Sequence, residues 1–283
     1  MFGVDRQVYY RRKQSVKRRK SRAVKVIELV ETIRLQMPKI GVRKLYFLLQ
    51  KELNPLKVGR DMLFRIMKAN HMLIIPKRRY HITTNSHHRF RKHKNLIENV
   101  VPDKPEQIWV SDITYVGNRQ NPMYLALVTD AYSKQIMGYD LSNSLDTSGS
   151  LRALKMAHNN RVYKENVVIH HSDRGLQYCS NEYQNLLKKT KIICSMTESY
   201  DPYANAIAER VNGILKAEFI GYSNNTDLKT MGKLVKESVN IYNTFRPHFS
   251  CFYKTPKQMH KQNKVKIKTY KNINPSKDVF AGI

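Results

Sequence analysis

The order of apolar and polar positions along the chain predicts helices first and a mixture of strands and helices afterwards. Residues 4–36 carry apolar side chains at helical spacing among basic residues, and Pro38 closes this stretch. Two shorter helical patterns follow, around Leu45 and around Leu63. We therefore predict a small all-helical N-terminal region over residues 1–75.

The short helices of this region have the lengths expected of a helix-turn-helix DNA-binding unit. The turn between them is predicted at Asn54-Pro55. A plain helical hairpin that packs on a larger domain would give the same pattern. The sequence leaves both interpretations open.

After Pro102 the pattern changes to short β-rich runs and then to alternating helices and strands. Three β-rich runs with turn residues between them predict an antiparallel meander, and they are Gln107–Val116, Met123–Thr129 and Gln135–Leu141. The later predicted elements are a helix through Leu154, a buried strand at Val167–His171, a helix over Glu182–Lys189, a strand near Ile192–Met196, and helices from about Ala204 to Phe219 and from about Leu228 to Thr244. Five strands in this order indicate an α/β fold with a mixed five-stranded sheet flanked by helices.

Two strongly basic segments border this core, which we predict over residues 104–250. The first is a linker over residues 76–103, in which Pro76–Lys94 holds seven Lys or Arg, four His and no acidic residue. Its charge favours a path along DNA, with contacts from Lys77, Arg78 and Arg79, although a solvated tether would have the same composition. The second is a lysine-rich C-terminal tail over residues 251–283, predicted to contact phosphates or to be loosely ordered.

The overall charge narrows the class of partner. The chain has 283 residues, with 51 Lys and Arg against 22 Asp and Glu, which gives a net charge of +29. So large an excess favours a polyanion, because each neutralised phosphate releases condensed counterions. No apolar run approaches the length of a membrane-spanning helix, and no signal peptide follows Met1, so we expect no membrane partner. The three cysteines lack metal-binding spacing and are typical of reduced thiols, which favours the cytoplasm.

Two aspartates stand out because they occur in or directly after apolar strands. Asp112 lies within the first predicted strand, and Asp173 follows the fourth after a single Ser. A carboxylate there is costly unless it is paired or binds a cation. Oxygen ligands favour Mg²⁺ or Mn²⁺, and two such ions held by converging carboxylates can support phosphoryl transfer.

A third carboxylate from a helix would complete such a site, and Glu209 is the leading candidate. Asp130, at the end of its strand, competes with the two aspartates, and Glu198 and Glu218 compete with Glu209. Residue type and periodicity alone do not choose among them.

Three segments together resemble the catalytic motifs of retroviral-integrase-like transposases. They are Trp109–Tyr115 (WVSDITY), His171–Tyr178 (HSDRGLQY) and Asn205–Arg210 (NAIAER), and 35 residues separate Asp173 from Glu209. Lys216 lies seven residues after Glu209, two helical turns further on the same face. Later segments resemble the signature of the IS3-family insertion-sequence transposases, and they are Tyr242–His248 (YNTFRPH) and Thr255-Pro256. The similarity covers nearly the whole chain and is to the downstream-frame (OrfB) product of that family.

This resemblance implies a ribonuclease-H-like fold and a Mg²⁺-dependent or Mn²⁺-dependent enzyme with two ions. The implied reaction nicks the DNA of the inverted-repeat ends to expose a 3′-hydroxyl, which then attacks another phosphodiester. By matched position, the implied metal ligands and catalytic residues are Asp112, Asp173 and Glu209.

The resemblance also implies roles around these carboxylates. Lys216 and Arg210 are expected to contact DNA. Gln177, Tyr178 and Asn205 belong to the motifs and are expected to support the site. For Arg246 and His248, a DNA contact and a capping or packing role are both open.

The partners implied are double-stranded DNA, as element ends and as target, and further copies of the chain assembled on that DNA. The family also has an upstream-frame protein that can be fused to this frame, and Phe2–Tyr10 resembles the late part of its recognition helix. The expected location is the bacterial cytoplasm, on the nucleoid. Two alternatives stay open: a DNA-binding regulator without turnover, and a ribonuclease-H-like nuclease that cleaves without joining.

Overall fold

The computed structural model describes residues 5–75, 93–98, 100–117, 122–197, 205–221 and 227–266. The chain divides into two compact units, with the boundary at Pro76. Lys77, Arg78 and Arg79 lie outside the described residues.

Over the described residues the first unit contains four helices, where the sequence predicted a helical region with three helical stretches. They are α1 (Arg6–Gln36), α2 (Val42–Leu48), α3 (Gln50–Leu53) and α4 (Arg60–Ala69). Asp5 caps α1 by accepting a hydrogen bond from the backbone N–H of Gln7. The apolar face of α1 buries Val26 and Val30, and α4 buries Leu63 and Met67. Nothing in this arrangement distinguishes a helix-turn-helix from a helical hairpin, so the DNA-binding role of the region stays a prediction.

The second unit is built on a five-stranded mixed sheet. Its strands are β1 (Ile108–Gly117), β2 (Pro122–Asp130), β3 (Ile136–Ser142), β4 (Ile169–Ser172) and β5 (Ile193–Met196). They are arranged in the order β3-β2-β1-β4-β5. The first three pair antiparallel, and β4 and β5 pair parallel to β1. The predicted meander and the predicted ribonuclease-H-like mixed sheet are therefore confirmed.

Six further helices of this unit lie within the described residues. They are α5 (Thr147–Asn159), α6 (Leu176–Cys179), α7 (Asn181–Lys189), α8 (Ala206–Leu215), α9 (Leu228–Thr244) and α10 (Pro256–His260). A π-helical turn at Lys216–Ile220 follows α8, and a 3₁₀ turn is formed by Phe249–Cys251. Among the described residues, no helix of either unit is long and apolar enough to cross a membrane.

Alternation along β1 divides its side chains between two layers. Trp109 packs with residues of α5, α6 and α7, whereas Ile108 and Val110 pack with Ala208 of α8. On the α5 side the helix lies very close to β3, since a Cβ at Gly138 would come within 2.1 Å of the Ala153 carbonyl oxygen. The parity of β1 directs Asp112, four residues after Ile108, towards the α8 side of the sheet.

The segments at the edges of the predicted core are packed against it. Ile97 and Val100, predicted to lie in a linker, contact the cluster of Ile108 and Val110. Cys251 and Met259 are fully buried with Tyr132, so residues 251–266 do not form the loosely ordered arm that we predicted. The reason is an apolar face on α10, whose start is fixed by a capping box between Thr255 and Gln258. Residues 267–283 lie outside the described residues.

A buried polar cluster fastens α10 to the sheet. Glu106 is fully buried and accepts hydrogen bonds from Arg161 Nε at 3.1 Å and from the Val162 backbone N–H at 2.7 Å. His260 Nε2 lies 3.3 Å from Glu106 Oε1, and His260 Nδ1 lies 2.9 Å from Ser133 Oγ. Because these groups come from distant parts of the chain, they are a structural junction of the second unit.

Candidate active site

The register of β1 and β4 brings the two predicted aspartates to the same edge of the sheet. Trp109 pairs with His170 and Val110 with His171 in a parallel ladder. Continued by two residues, this register sets Asp112 beside Asp173, where the chain has just left β4. Both side chains are half-buried. The structure therefore confirms their proximity and leaves their catalytic role to be proposed.

Helix α8 lies across β1 and is joined to it by three side chains on one helical face. Asn205 Nδ2 donates to the Ser111 carbonyl oxygen at 3.0 Å, Asn212 Nδ2 to Asp112 Oδ2 at 2.7 Å and Lys216 Nζ to Thr114 Oγ1 at 3.3 Å. Glu209 lies between these contacts, four residues after Asn205 and three before Asn212, and is exposed. The face that carries the hydrogen bonds thus also carries Glu209.

The three carboxylates influence one another electrostatically. Burial, and next the negative charge of Asp173, raise the pKa of Asp112 to about 7; the charge of Glu209 adds to this, while the Asn212 hydrogen bond opposes it. Burial and the charge of Asp173 also raise the pKa of Glu209. Such mutual elevation occurs where like charges converge, and a bound cation would relieve it.

The loop after β4 shapes the position of Asp173. Asp173 Oδ1 accepts a hydrogen bond from the Gly175 backbone N–H at 3.0 Å. A Cβ at Gly175 would lie only 2.9 Å from that same oxygen, so a side chain there would displace the carboxylate. Gln177 Nε2 donates to the Leu145 carbonyl oxygen at 2.7 Å, which ties the loop to the segment before α5. Tyr178 is buried in the apolar core beneath the loop.

A buried polar chain that sequence reasoning did not identify lies behind β1. The Ser111 hydroxyl and the Tyr183 hydroxyl approach His170 Nε2 at 2.7 Å and 2.9 Å. Burial lowers the pKa of His170 to about 3, so the ring is neutral. Ser111 is next to Asp112, and its main chain is also held by Asn205. The backbone around Asp112 is therefore fixed from both layers of the fold.

The competing acids are used elsewhere in the unit. Asp130 is fully buried, and its carboxylate accepts hydrogen bonds from the backbone N–H groups of Glu106 and Ser133, both at 2.7 Å. Glu218 forms a bidentate ion pair with Arg246, with both distances 2.7 Å. Glu198 lies outside the described residues. Their contacts in the structure thus distinguish Asp130 and Glu218 from the candidate metal ligands, which residue type alone did not do.

The described side chains do not by themselves form a complete set of metal ligands. Within the described ranges, no group of three or more His, Cys, Asp or Glu side chains is close enough to hold one ion. Oxygen atoms that could contribute are present near the carboxylates: Oδ1 of Asn205 and Oδ1 of Asn212 are buried and have no hydrogen-bond partner among the described residues. The site is thus a set of mutually repelling carboxylates beside two buried amide oxygens.

For Arg246 and His248 the sequence left a DNA contact and a packing role open, and the structure buries both side chains. Arg246 is 2% exposed and pairs with Glu218, while His248 is 7% exposed and its Nε2 lies 2.9 Å from the Tyr242 hydroxyl. Burial this deep favours the packing role for both residues. Arg210, by contrast, is exposed on α8, one residue after Glu209. Lys216 is half-buried.

Comparison with known proteins agrees with this geometry. Residues 102–202 and residues 190–256 each match the profile of an integrase core domain family. Over 255 residues the chain is 32% identical to the insertion element IS600 uncharacterized 31 kDa protein of Shigella sonnei, covering 88% of this chain and 92% of that protein. The chain belongs to the integrase-core family of insertion-element proteins.

Another relative of this chain is the transposase InsF for insertion sequence IS3fB of Escherichia coli strain K12. It is 34% identical over 172 residues, which cover 60% of this chain and 59% of that protein. A solved structure that resembles the chain is the HTLV-2 integrase catalytic core domain in complex with magnesium, with 18% identity and a TM-score of 0.46, covering 56% of this chain and 99% of the other. The predicted resemblance to insertion-sequence transposases is confirmed by the sequence relatives.

Asn212 is the residue of this site that the sequence analysis missed. The signal was available in principle, since Asn212 lies three residues after Glu209 and therefore shares its helical face. What the sequence could not supply was the partner, because the hydrogen bond joins two residues 100 positions apart.

Proposed function

We propose that this protein is a DNA transposase that nicks the ends of its insertion element and joins them to target DNA. The observation that carries the proposal is the electrostatic coupling of Asp112 to Asp173 and Glu209, in a family member with a net charge of +29. Coupled carboxylates suit phosphoryl transfer, and the positive charge suits a polyanionic substrate.

The reaction proposed has two steps of the same kind. In the first, a water oxygen bonds to the phosphorus at the element end and the P–O3′ bond breaks, which leaves a 3′-hydroxyl. In the second, that hydroxyl attacks a phosphorus of the target strand, whose own P–O3′ bond breaks. Neither step requires a covalent bond to the enzyme.

We assign the three carboxylates as ligands of Mg²⁺ or Mn²⁺, with two ions. Their oxygen-only donors are those that these hard cations prefer, and their mutual repulsion is what a cation would neutralise. When bound, the ions would activate the attacking hydroxyl and stabilise the leaving oxygen. The Asn212 amide donates a hydrogen bond to Oδ2 of Asp112 and so orients this carboxylate.

The residues around the carboxylates have supporting roles in this proposal. Arg210 in α8 and Lys216 in the following π-helical turn, both C-terminal to Glu209, bind DNA phosphates. Asn205 holds the backbone at Ser111, and Gln177 holds the loop that carries Asp173. Tyr178 supports that loop from below by filling the core.

The substrate we propose is double-stranded DNA, both as inverted-repeat element ends and as target, bound by more than one copy of the chain. The upstream-frame product is a proposed additional partner. The proposed place of action is the bacterial nucleoid in the cytoplasm.

The test is a cleavage and joining assay on labelled duplex from the repeats that flank the reading frame, with Mg²⁺ or Mn²⁺. The variant is Glu209→Gln, and the matched control is Glu237→Gln, the same chemical change at an exposed position of α9. We expect nicked and joined products from the wild type and the control, and none from Glu209→Gln, with DNA affinity unchanged or raised.

Near-normal nicking by Glu209→Gln would overturn the assignment of this residue. Nicking without joining would mean a nuclease, and tight binding without either product would mean a regulator. A thermal shift measurement gives a readout besides activity: Mg²⁺ or Mn²⁺ should raise the Tm of the wild type more than that of Asp112→Asn.

A further inference from the structure

The turn between α9 and α10 displays three phenylalanines on the surface of the second unit. Phe245, Phe249 and Phe252 are 53%, 44% and 45% exposed, although large apolar side chains in this part of the chain are otherwise mostly buried. Phe249 and Tyr253 meet edge to face, with ring centroids 5.8 Å apart. We call Phe245, Phe249 and Phe252 the aromatic turn.

The backbone of the aromatic turn is fixed by a dense set of main-chain hydrogen bonds. Tyr253 N–H donates to the His248 carbonyl at 2.8 Å, and His248 N–H donates to the Lys254 carbonyl at 3.0 Å. Between these residues, Cys251 is fully buried as an anchor. The turn therefore presents its rings from a rigid base, so that binding would order little that is not already ordered.

The conformation of this turn is unfavourable for the residues that occupy it. Phe252 and Tyr253 both have positive φ angles, 54° and 62°, and they are the one adjacent pair of non-glycine residues with this property in the described part of the chain. Left-handed backbone is disfavoured for side chains with a Cβ, and such strain concentrates at functional positions. Glycine at these two positions would relieve the strain. The presence of two aromatic residues instead is explained if their rings bind a ligand.

The surrounding charge determines the kind of partner. No acidic residue occurs between Glu237 and Lys266. Lys257, Lys261 and Lys264 are exposed in the segment that follows the turn. A second copy of this chain would bring the same lysines to the contact, whereas a nucleic acid would bring phosphates. Aromatic rings among cations are the arrangement that binds single-stranded DNA, since bases stack on the rings while the backbone follows the charge.

The aromatic turn is also linked to the active-site helix. Arg246, between Phe245 and Phe249, forms the buried ion pair with Glu218 in the π-helical turn directly after α8. Glu218 is nine residues after Glu209, roughly 13 Å along a helix axis at 1.5 Å per residue. The aromatic turn is therefore connected through the Arg246–Glu218 ion pair to the helical segment that carries Glu209.

We propose that the aromatic turn is a base-stacking site for unpaired nucleotides of the DNA substrate. The proposal rests on the proposed function, because it takes DNA as the substrate, and it adds a stacking contact to the phosphate contacts. Its ligand class is a single-stranded or locally opened DNA segment, and Phe249 and Phe252 are the residues that stack.

The experiment compares two single-stranded 20-mers, one of mixed sequence and one of the same length with abasic sites, in EDTA so that no cleavage occurs. Both carry the same phosphates, so the affinity ratio reports base stacking alone. We expect the full-length wild type to prefer the mixed-sequence strand by about 5- to 150-fold, the range given by one stacked base. Phe249→Ala/Phe252→Gly should remove the preference while keeping affinity for the abasic strand.

Three further variants make the outcome specific. Phe252→Gly alone should have a Tm at or above the wild-type value, because glycine suits the left-handed backbone, which separates loss of binding from loss of folding. Phe249→Leu/Phe252→Leu keeps an apolar surface without rings and should also lose the preference. Leu228→Ala removes an exposed apolar side chain elsewhere on the unit and should behave as wild type.

Equal affinity of the wild type for both strands would overturn the stacking site and leave the proposed function standing. Binding of neither strand nor of duplex would count against both. If the alanine–glycine variant kept its base preference but changed from an oligomer to a monomer in sedimentation, the turn would be a contact between copies, which also overturns the proposal.

Discussion

The Asn212 amide donates a 2.7 Å hydrogen bond to Asp112, which joins helix α8 to the first strand at the centre of the candidate site. Asn212 is buried and Asp112 is half-buried. Ser111 and Ile113, which flank Asp112 in the sequence, could not replace it in this contact, because successive side chains of β1 point to opposite layers of the fold. The bond sets both the orientation of the carboxylate and the distance between strand and helix.

Replacement of Asn212 by Ala should lower the rate of nicking by about 10- to 100-fold, the usual effect of losing a group that orients a metal ligand. The concentration of Mg²⁺ needed for half-maximal activity should rise at the same time. Loss of a single buried hydrogen bond should cost only about 1 kcal/mol of unfolding free energy. Asn240→Ala, at an exposed position of α9, is the control. Unaltered Mg²⁺ dependence in Asn212→Ala would show that the bond does not orient a metal ligand.

Asp112→Asn should stabilise the protein in EDTA at pH 8. Because burial and the charge of Asp173 raise the pKa of Asp112 to about 7, ionisation is less favourable in the folded chain than in the unfolded chain. Wild-type stability should therefore fall as pH rises from about 4 to about 7, whereas the variant has no such fall.

The expected gain in Tm at pH 8 is on the order of 5 °C, since one pKa unit corresponds to about 1.4 kcal/mol and the carboxylate is partly solvated. Melting curves of both proteins between pH 4 and pH 8 measure it. A constant difference in Tm across that range would exclude the ionisation of Asp112 as its cause.

Arg246→Ala should destabilise the second unit strongly and change DNA binding little. The substitution leaves Glu218 without its bidentate partner in a largely buried position, at a cost of about 3–5 kcal/mol. Arg246→Lys should recover only part of this, since an ammonium group cannot reproduce the two parallel hydrogen bonds. Urea unfolding and duplex binding are the two measurements. If the Arg246→Ala protein were stable but bound DNA weakly, Arg246 would contact DNA, contrary to what the burial of its side chain indicates.

The junction around His260 should make stability depend on pH in the alkaline range. Burial by itself lowers the pKa of His260, but the negative charges of Asp130 and Glu106 outweigh it and raise the pKa to about 9. Because the pKa is raised, the contribution of protonated His260 to folding stability is complete below about pH 6.5 and is lost as pH rises through 9. The wild-type Tm should therefore fall between pH 7 and pH 10.

His260→Gln should lower the Tm at pH 6 and flatten its dependence on pH over the same interval. His71→Gln is a control, since His71 is exposed and belongs to the first unit. An equally steep fall of Tm in both variants would place the titrating group elsewhere.

Local patterns predicted most elements closely, and the helices with caps best of all. Helix α9 runs from Leu228 to Thr244 as predicted, because an amphipathic stretch follows Asp227, whose side chain caps the first turn. The end of α8 was less accurate: the predicted helix to Phe219 ends at Leu215, and the chain continues as a π-helical turn in which Glu218 pairs with the distant Arg246. Boundaries set by local capping were predictable, and those set by tertiary contacts were not.

The candidate site shows the same division. Motif order and the 35-residue spacing predicted Asp112, Asp173 and Glu209, because spacing is a property of the sequence. The sequence did not decide whether Arg246 and His248 pack inside the fold or contact DNA. Burial decided between them, and burial is a property of the folded chain.

By itself, the sequence determined the class of fold and the positive charge that favours DNA, and its motifs predicted the three carboxylates. These follow from periodicity, composition and motif spacing, which are local or additive. Only the tertiary structure decided that Asn212 holds Asp112, that Glu218 is taken by Arg246 and that residues 251–266 pack on the core. Each of these depends on which residues distant in sequence meet when the sheet and helices pack, and no pattern along one stretch of chain contains that information.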